Sequence, residues 1–161
     1  MQVSTASFVR VPAPRLSDLE LRAWQALLHA HHDVVEALDD ELRAQHDLTM
    51  AEYDVLLRLA RVPDRALKMS VLAERVMRSP SGLTRLVDRL VRAGLVERHP
   101  DPDDRRATRA TLTPAGARLL ARAARSHLRG IHEHFTGKLT RAQLGDVAEA
   151  LETISGPHEP H

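Results

Sequence analysis

SVLAERVMRSPSGLTRLVDRLVRAGLVERHPDPDDRRATRATLT, residues 70–113, holds two short helical patterns, a turn between them and a hairpin behind. The first pattern starts after Ser70 and runs to about Met77, with Val71, Leu72 and Val76 inward. Ser79-Pro80 then supplies a side-chain acceptor for orphan N–H groups and a proline at the first helical position, where its missing N–H costs nothing. The second pattern, 80–93, has Leu83, Leu86, Val87, Leu90 and Val91 at i, i+3, i+4, i+7 and i+8 and stops at Gly94. Its other face carries Ser81, Thr84, Arg85, Asp88, Arg89 and Arg92. Residues 95–99 and 107–113 alternate like short strands, and the polar DPDDRR between them makes a charged hairpin tip, the wing of residues 99–107.

Working outward, helix starts follow the capping-box spacing at Ser17/Glu20, Thr49/Glu52 and Thr140/Gln143, and Thr113-Pro114 repeats the cap-plus-proline start. A first helix over about 18–45 places Leu21, Trp24, Leu28, His31, Val35, Leu38 and Leu42 on one stripe, which requires something to lie against. A second, about 50–61, turns Tyr53, Leu56, Leu57 and Ala60 inward and ends near Val62-Pro63-Asp64. A fifth runs from Pro114 to between Leu128 and Phe135, and a sixth, about 141–154, carries Leu144, Val147, Leu151 and Ile154. The string is ααααββαα: a mainly α protein with a small β-hairpin wing, a winged helix-turn-helix. Residues 1–16 read as a flexible arm and 156–161 as a flexible tail.

Composition agrees with one helical domain. At 161 residues the chain can bury a real core, and 43% apolar with 2% aromatic residues means a core of Leu, Val and Ala. With no cysteine, a disulfide framework, a thiolate zinc site and a cysteine redox sensor are excluded. No apolar run reaches the length of a signal peptide core or a membrane span, so a cytoplasmic setting is expected. The net charge of +1 conceals a division, because residues 64–109 hold eleven Arg and Lys against seven Asp and Glu, a surplus of four, and the rest of the chain is acidic by three. A local basic patch points to a polyanion partner.

Two helices joined by Val76-Met77-Arg78-Ser79 give the layout in which the second helix enters the DNA major groove. Ser79, Ser81, Gly82 and Thr84 are small enough for close approach, and Arg85 and Arg89 can reach base edges or phosphates. An amphipathic helix alone often presents such residues merely to solvent. The hairpin adds Arg105 and Arg106 beside Asp103 and Asp104, a guanidinium supply suited to the narrow minor groove.

Residues 72–98, LAERVMRSPSGLTRLVDRLVRAGLVER, followed by Asp104-x-Arg106 and, after five residues, Leu112-Thr113, resemble the MarR family of multiple-antibiotic-resistance-type regulators, over roughly residues 17–154. The resemblance implies a homodimer held by the first, fifth and sixth helices (17–48 and 114–155), a DNA-binding lobe over 49–113, helix 80–93 in the major groove and the wing in the minor groove of a pseudo-palindromic operator. It makes Arg106 the minor-groove residue, with Asp104 orienting it and Arg105 beside it on phosphate. Gly82 departs from the side chain common at that position. Repression released by a small anionic aromatic effector is the implied mode, with Trp24, His31, Tyr53 and His127 as the pocket residues.

Ten histidines raise a zinc-responsive regulator as an alternative, but His29, His31, His32, His46, His127, His132 and His134 contain no clean i, i+4 pair, and no metal site is assigned. No nucleophile elbow, phosphate-binding glycine loop, HExxH or paired inward carboxylate is present, so no catalytic residue, enzyme activity or cofactor is expected. The remaining alternative is a protein-interaction module on the same fold.

Overall fold

The computed structural model of the chain describes residues 15–104 and 106–156. The expected arm and tail therefore lie almost wholly, and Arg105 entirely, outside the described residues.

Six α-helices and three strands follow one another as α1 (Asp18–His46), α2 (Met50–Ala60), β1 (Ala66–Lys68), α3 (Met69–Arg75), α4 (Pro80–Arg92), β2 (Val96–Pro100), β3 (Thr108–Leu112), α5 (Pro114–His134) and α6 (Arg141–Ser155), with a 3-10 turn at Thr136–Lys138. Every expected cap is made. At α2 the hydroxyl of Thr49 accepts from Glu52 N–H at 3.1 Å while the Glu52 carboxylate accepts from Thr49 N–H at 2.8 Å. The same reciprocal pair joins Thr140 and Gln143, and Ser17 and Glu20. Ser79 and Thr113 accept from Gly82 N–H and Gly116 N–H, each with proline at the next residue.

The sheet corrects the expected string. It has three strands in the order β1-β3-β2, with Leu67 opposite Ala110 in one ladder and Arg98 opposite Ala110 in the other. A hairpin alone would leave one edge of β3 unpaired. Ala66–Lys68 covers it, although three residues are too short to show strand periodicity in sequence.

The unit from Asp33 onward has its core where these elements meet. Leu42, Val55, Leu56, Leu59, Leu72, Leu83, Val87, Leu90 and Val96 are all essentially inaccessible, each contributing about 1.5–3 kcal/mol of transfer free energy. On α2 the inward set is Glu52, Tyr53, Val55, Leu56 and Leu59, whereas Leu57 and Ala60 are only half-buried. The unit up to His32 is the first half of α1, exposed along its whole described length. Of the stripe on α1 only Leu38 and Leu42 are buried, and α6 buries nothing, with Ile154 76% exposed.

Candidate nucleic-acid interface

The turn between α3 and α4 is built as a tight stop and restart. Val76 N–H and Arg78 N–H return to Leu72 and Ala73 carbonyls, and Met77 takes φ 49°, a left-handed conformation that reverses the chain before Ser79 caps α4. Leu83, Val87 and Leu90 bury one side of α4. Ser81, Thr84 and Arg85 are thereby left exposed on the N-terminal half of the other side, with Ser79 exposed ahead of them and Gly82 half-buried between them. The Thr84 hydroxyl donates to Pro80 carbonyl at 2.9 Å, which fixes its rotamer and leaves its oxygen lone pairs outward. Arg85 has no hydrogen-bond or ion-pair partner among the described residues.

Arg89, grouped by sequence with Arg85, is placed differently. Its Nε lies 2.9 Å from Glu52 Oε1, and its Nη2 donates to the Asp47 carbonyl at 3.3 Å. Spacing of four on one helix gives both arginines the same face, but it cannot reveal that a buried carboxylate from α2 waits beside the second.

The wing is organised by a residue that pattern reading passed over. Asp101 is buried, and its Oδ1 accepts from Asp103 N–H at 3.1 Å and Asp104 N–H at 3.0 Å. Asp101 N–H donates to Ala107 carbonyl at 2.9 Å, closing the loop. The same carboxylate faces Lys68 at 3.4 Å and Arg109 Nε at 3.8 Å. Burial pushes this carboxyl up, but the hydrogen bonds from Asp103 N–H, Lys68 and Asp104 N–H outweigh it, and the net shift is downward. The signal in sequence was Asp-Pro-Asp-Asp itself, an Asx-turn composition.

Asp104 meets Arg106 through the main chain: its Oδ1 accepts from Arg106 N–H at 3.0 Å, and the Arg106 side chain is exposed. Arg98, on β2, straps the wing to α4, donating to Asp88 Oδ1 at 2.6 Å and to the Thr84 carbonyl at 3.1 Å. Lys68, Met69, Ser70, Thr84, Arg98, Ala107 and Thr108 line a cavity of about 390 Å³ between the start of α3, α4 and the wing.

None of the four expected pocket residues lines that cavity. Tyr53 and His127 come together, with ring centroids 4.7 Å apart and planes inclined by 45°. His127 Nδ1 is buried without a hydrogen-bond partner, and burial pushes the imidazole pKa down, with Glu41 offsetting part of the shift. Trp24 and His31 are exposed on α1. Among the described residues, Glu41, Glu133 and His134 bring possible metal-ligand atoms within 4.8 Å of one another, but His134 Nε2 is already engaged by Glu41 Oε1 at 2.6 Å. No helix among the described residues is long and apolar enough to cross a membrane.

Comparison with known proteins agrees with this architecture. The MarR family model matches residues 46–107. The multiple antibiotic resistance protein MarR of Escherichia coli (strain K12) is 29% identical over 129 residues, 80% of this chain and 88% of that protein. Among solved structures, AbsC, a MarR family transcriptional regulator from Streptomyces coelicolor, is 30% identical and superposes with a TM-score of 0.82 over 89% of this chain and 96% of its own. Sco3205, a MarR family transcriptional regulator from the same organism solved in complex with DNA, is 28% identical with a TM-score of 0.83 over 93% and 94% of the two chains. The chain belongs to the MarR family, and is a winged helix-turn-helix transcriptional regulator rather than an enzyme.

Proposed function

We propose that this chain acts as a homodimer that binds a pseudo-palindromic operator in duplex DNA, with α4 in the major groove and the wing in the minor groove. The observation that carries the reading is the exposed set Ser81, Thr84 and Arg85 on the first turns of α4, with Arg85 unpaired among the described residues, accompanied by an exposed Arg106 whose amide is held by Asp104. Small hydroxyl side chains admit the helix to the groove, and a free guanidinium can make bidentate bonds to a base edge. Ser79, Gly82 and Arg105 complete the proposed contact surface.

Dimerisation through 17–48 and 114–155, around a lobe of 49–113, is supported by apolar surface that a single chain leaves bare. Leu19, Trp24 and Leu28 on α1 and Leu151 and Ile154 on α6 are all exposed. A second copy covering these helices would set two reading helices about 34 Å apart, one turn of DNA. Repression relieved by a small anionic aromatic effector is the mode the family resemblance favours, and the Tyr53–His127 pair, with its buried unpaired Nδ1, offers such a ligand a ring face and a polar atom.

The test is titration onto fragments of the DNA upstream of the protein's own gene, with excess competitor and at several salt concentrations. Competition-resistant binding is expected, with Arg85→Ala and Arg106→Ala each losing about 1–3 kcal/mol of affinity and flattening the salt dependence. Undiminished activity of both variants would instead favour a protein-interaction module.

A further inference from the structure

We infer that Arg89 is a positioning residue of the reading helix and not one of its DNA contacts. Its guanidinium fastens α4 to the junction of α1 and α2, and so sets the angle at which Arg85 meets DNA. The inference rests on the DNA-binding reading above.

The Glu52 side chain, at the start of α2, is 1% exposed. One oxygen, Oε2, is fully used, accepting from Thr49 N–H at 2.8 Å and from the Thr49 hydroxyl at 2.9 Å to cap α2. The other, Oε1, has Arg89 Nε at 2.9 Å as its partner. The contact is a charge pairing, and a buried carboxylate left without its counter-charge is costly, so the arginine is held by the requirement of Glu52 as much as by its own.

The far end of the same guanidinium serves a second helix end. Nη2 donates to the Asp47 carbonyl at 3.3 Å and faces Asp47 Oδ1 at 3.5 Å. Asp47 ends α1 in a left-handed conformation, φ 52°, so its carbonyl points away from the helix and lacks an intrahelical partner. One planar group thus joins the C-terminal end of α1, the N-cap of α2 and the third turn of α4. Lysine could satisfy Glu52 or Asp47 with its point charge, but it lacks the fork that reaches both.

Arg85 lies one turn earlier on α4 and has no partner among the described residues, whereas Arg89 has Nε against Glu52 and Nη2 on Asp47. The two arginines of one helix face have separate tasks: Arg85 to read, Arg89 to hold. Without the clamp α4 is restrained by its apolar side and by Arg98 from the wing, so loss of aim should reduce operator recognition while leaving the electrostatic attraction to any DNA in place.

The experiment compares wild type, Arg89→Gln, Arg89→Lys, Glu52→Gln, the Arg89→Gln/Glu52→Gln double variant and Arg85→Ala. For each, affinity per folded protein is measured on the operator fragment and on competitor DNA across a salt series, alongside thermal unfolding. Glu52→Gln keeps an acceptor for the α2 cap. We expect Arg89→Gln and Glu52→Gln each to lower operator affinity about tenfold with the salt slope unchanged, the double variant to lose no more than either, and Arg89→Lys to recover part of the loss. Arg85→Ala should lower the slope as well. A slope reduced by about one in Arg89→Gln with Glu52→Gln at wild-type affinity would overturn the inference in favour of a phosphate contact. Unchanged affinity in both, with only lowered melting temperatures, would overturn it in favour of fold support alone. If wild-type protein fails to hold any fragment against competitor, the DNA-binding reading itself fails before the variants are compared.

Discussion

The carboxylate of Asp101 and the ammonium of Lys68 lie 3.4 Å apart, the aspartate side chain 1% exposed and the lysine 40%. Lys68 closes β1 and stands at the start of α3, so the pair ties the base of the wing to the start of the helix-turn-helix. Asp101→Asn would keep an oxygen for the Asp103 and Asp104 amides but give up the charge facing Lys68 and Arg109. The expected result is a loss of about tenfold in DNA affinity, like that of a wing arginine removed. Amide exchange at Asp103 and Asp104 should rise in parallel. Slow exchange there together with lost DNA binding would show that the carboxylate acts on DNA by some route other than wing geometry.

Gly116 marks a crossing that tolerates no side chain. A Cβ there would stand 2.2 Å from the Leu95 carbonyl oxygen and 2.8 Å from Leu112 Cδ1. The carbonyl is held by Thr113 N–H at 3.1 Å, so it cannot step aside without breaking the α5 start. Gly116→Ala should cost about 2 kcal/mol or more, despite alanine's better helix propensity. Thermal denaturation checks this, and a variant as stable as wild type would refute the crossing geometry.

Acid should weaken the fold through two histidines. Burial pushes His46 down, helped by the positive charge of Arg122, and burial also pushes His127 down. In the unfolded chain both imidazoles take up a proton near about pH 6.5, while the folded ones resist until the pH is lower. Their contribution is therefore complete above that value and is lost as pH falls below it, until the folded groups protonate as well. Melting temperatures recorded from about pH 8 to about pH 5 should be flat and then fall. His127→Phe should shallow the fall, and a slope identical to wild type would assign it to other groups.

The bare apolar surface gives an expectation about assembly. Ile154→Asp or Leu28→Asp places a charge on a face that a second copy would cover, and either variant should convert a dimer to monomer in sedimentation at micromolar concentration. Both residues are exposed in the single chain, 76% and 46%, so neither substitution should unfold it. Wild-type protein sedimenting as a monomer would remove the basis of the operator spacing.

Most of the fold was legible because it is written in local signals. Capping boxes, Ser-Pro and Thr-Pro starts and 3-4 apolar spacing all act within one turn of helix, and each helix was expected to within a few residues of where it lies. What was not legible depends on partners far away in the chain. β1 exists because β3 has a second edge to satisfy, Arg89 turns to Glu52 thirty-seven positions back, and Asp101 faces Lys68 from β1 and Arg109 from β3. Composition and spacing show that Arg85 and Arg89 share a face; only packing distinguishes the one that is free. The direct role of Asp104 on the Arg106 amide, through the backbone, was likewise hidden, since a D-x-R spacing suits a side-chain pair equally well.

The cap of α4 and the cap of α5 use one four-residue pattern, Ser79-Pro80-Ser81-Gly82 and Thr113-Pro114-Ala115-Gly116, with the third helical residue a glycine in both. Their tolerances are opposite. At Gly116 the chain itself occupies the place of a side chain, whereas a Cβ at Gly82 would meet only the Ser79 hydroxyl, at 3.1 Å. The first turn of α4 therefore contains a position where a side chain would displace a hydroxyl by a few tenths of an ångström and not a backbone carbonyl. The same cap thus forbids a side chain where α5 crosses the chain, and at α4 asks only that the cap hydroxyl give way.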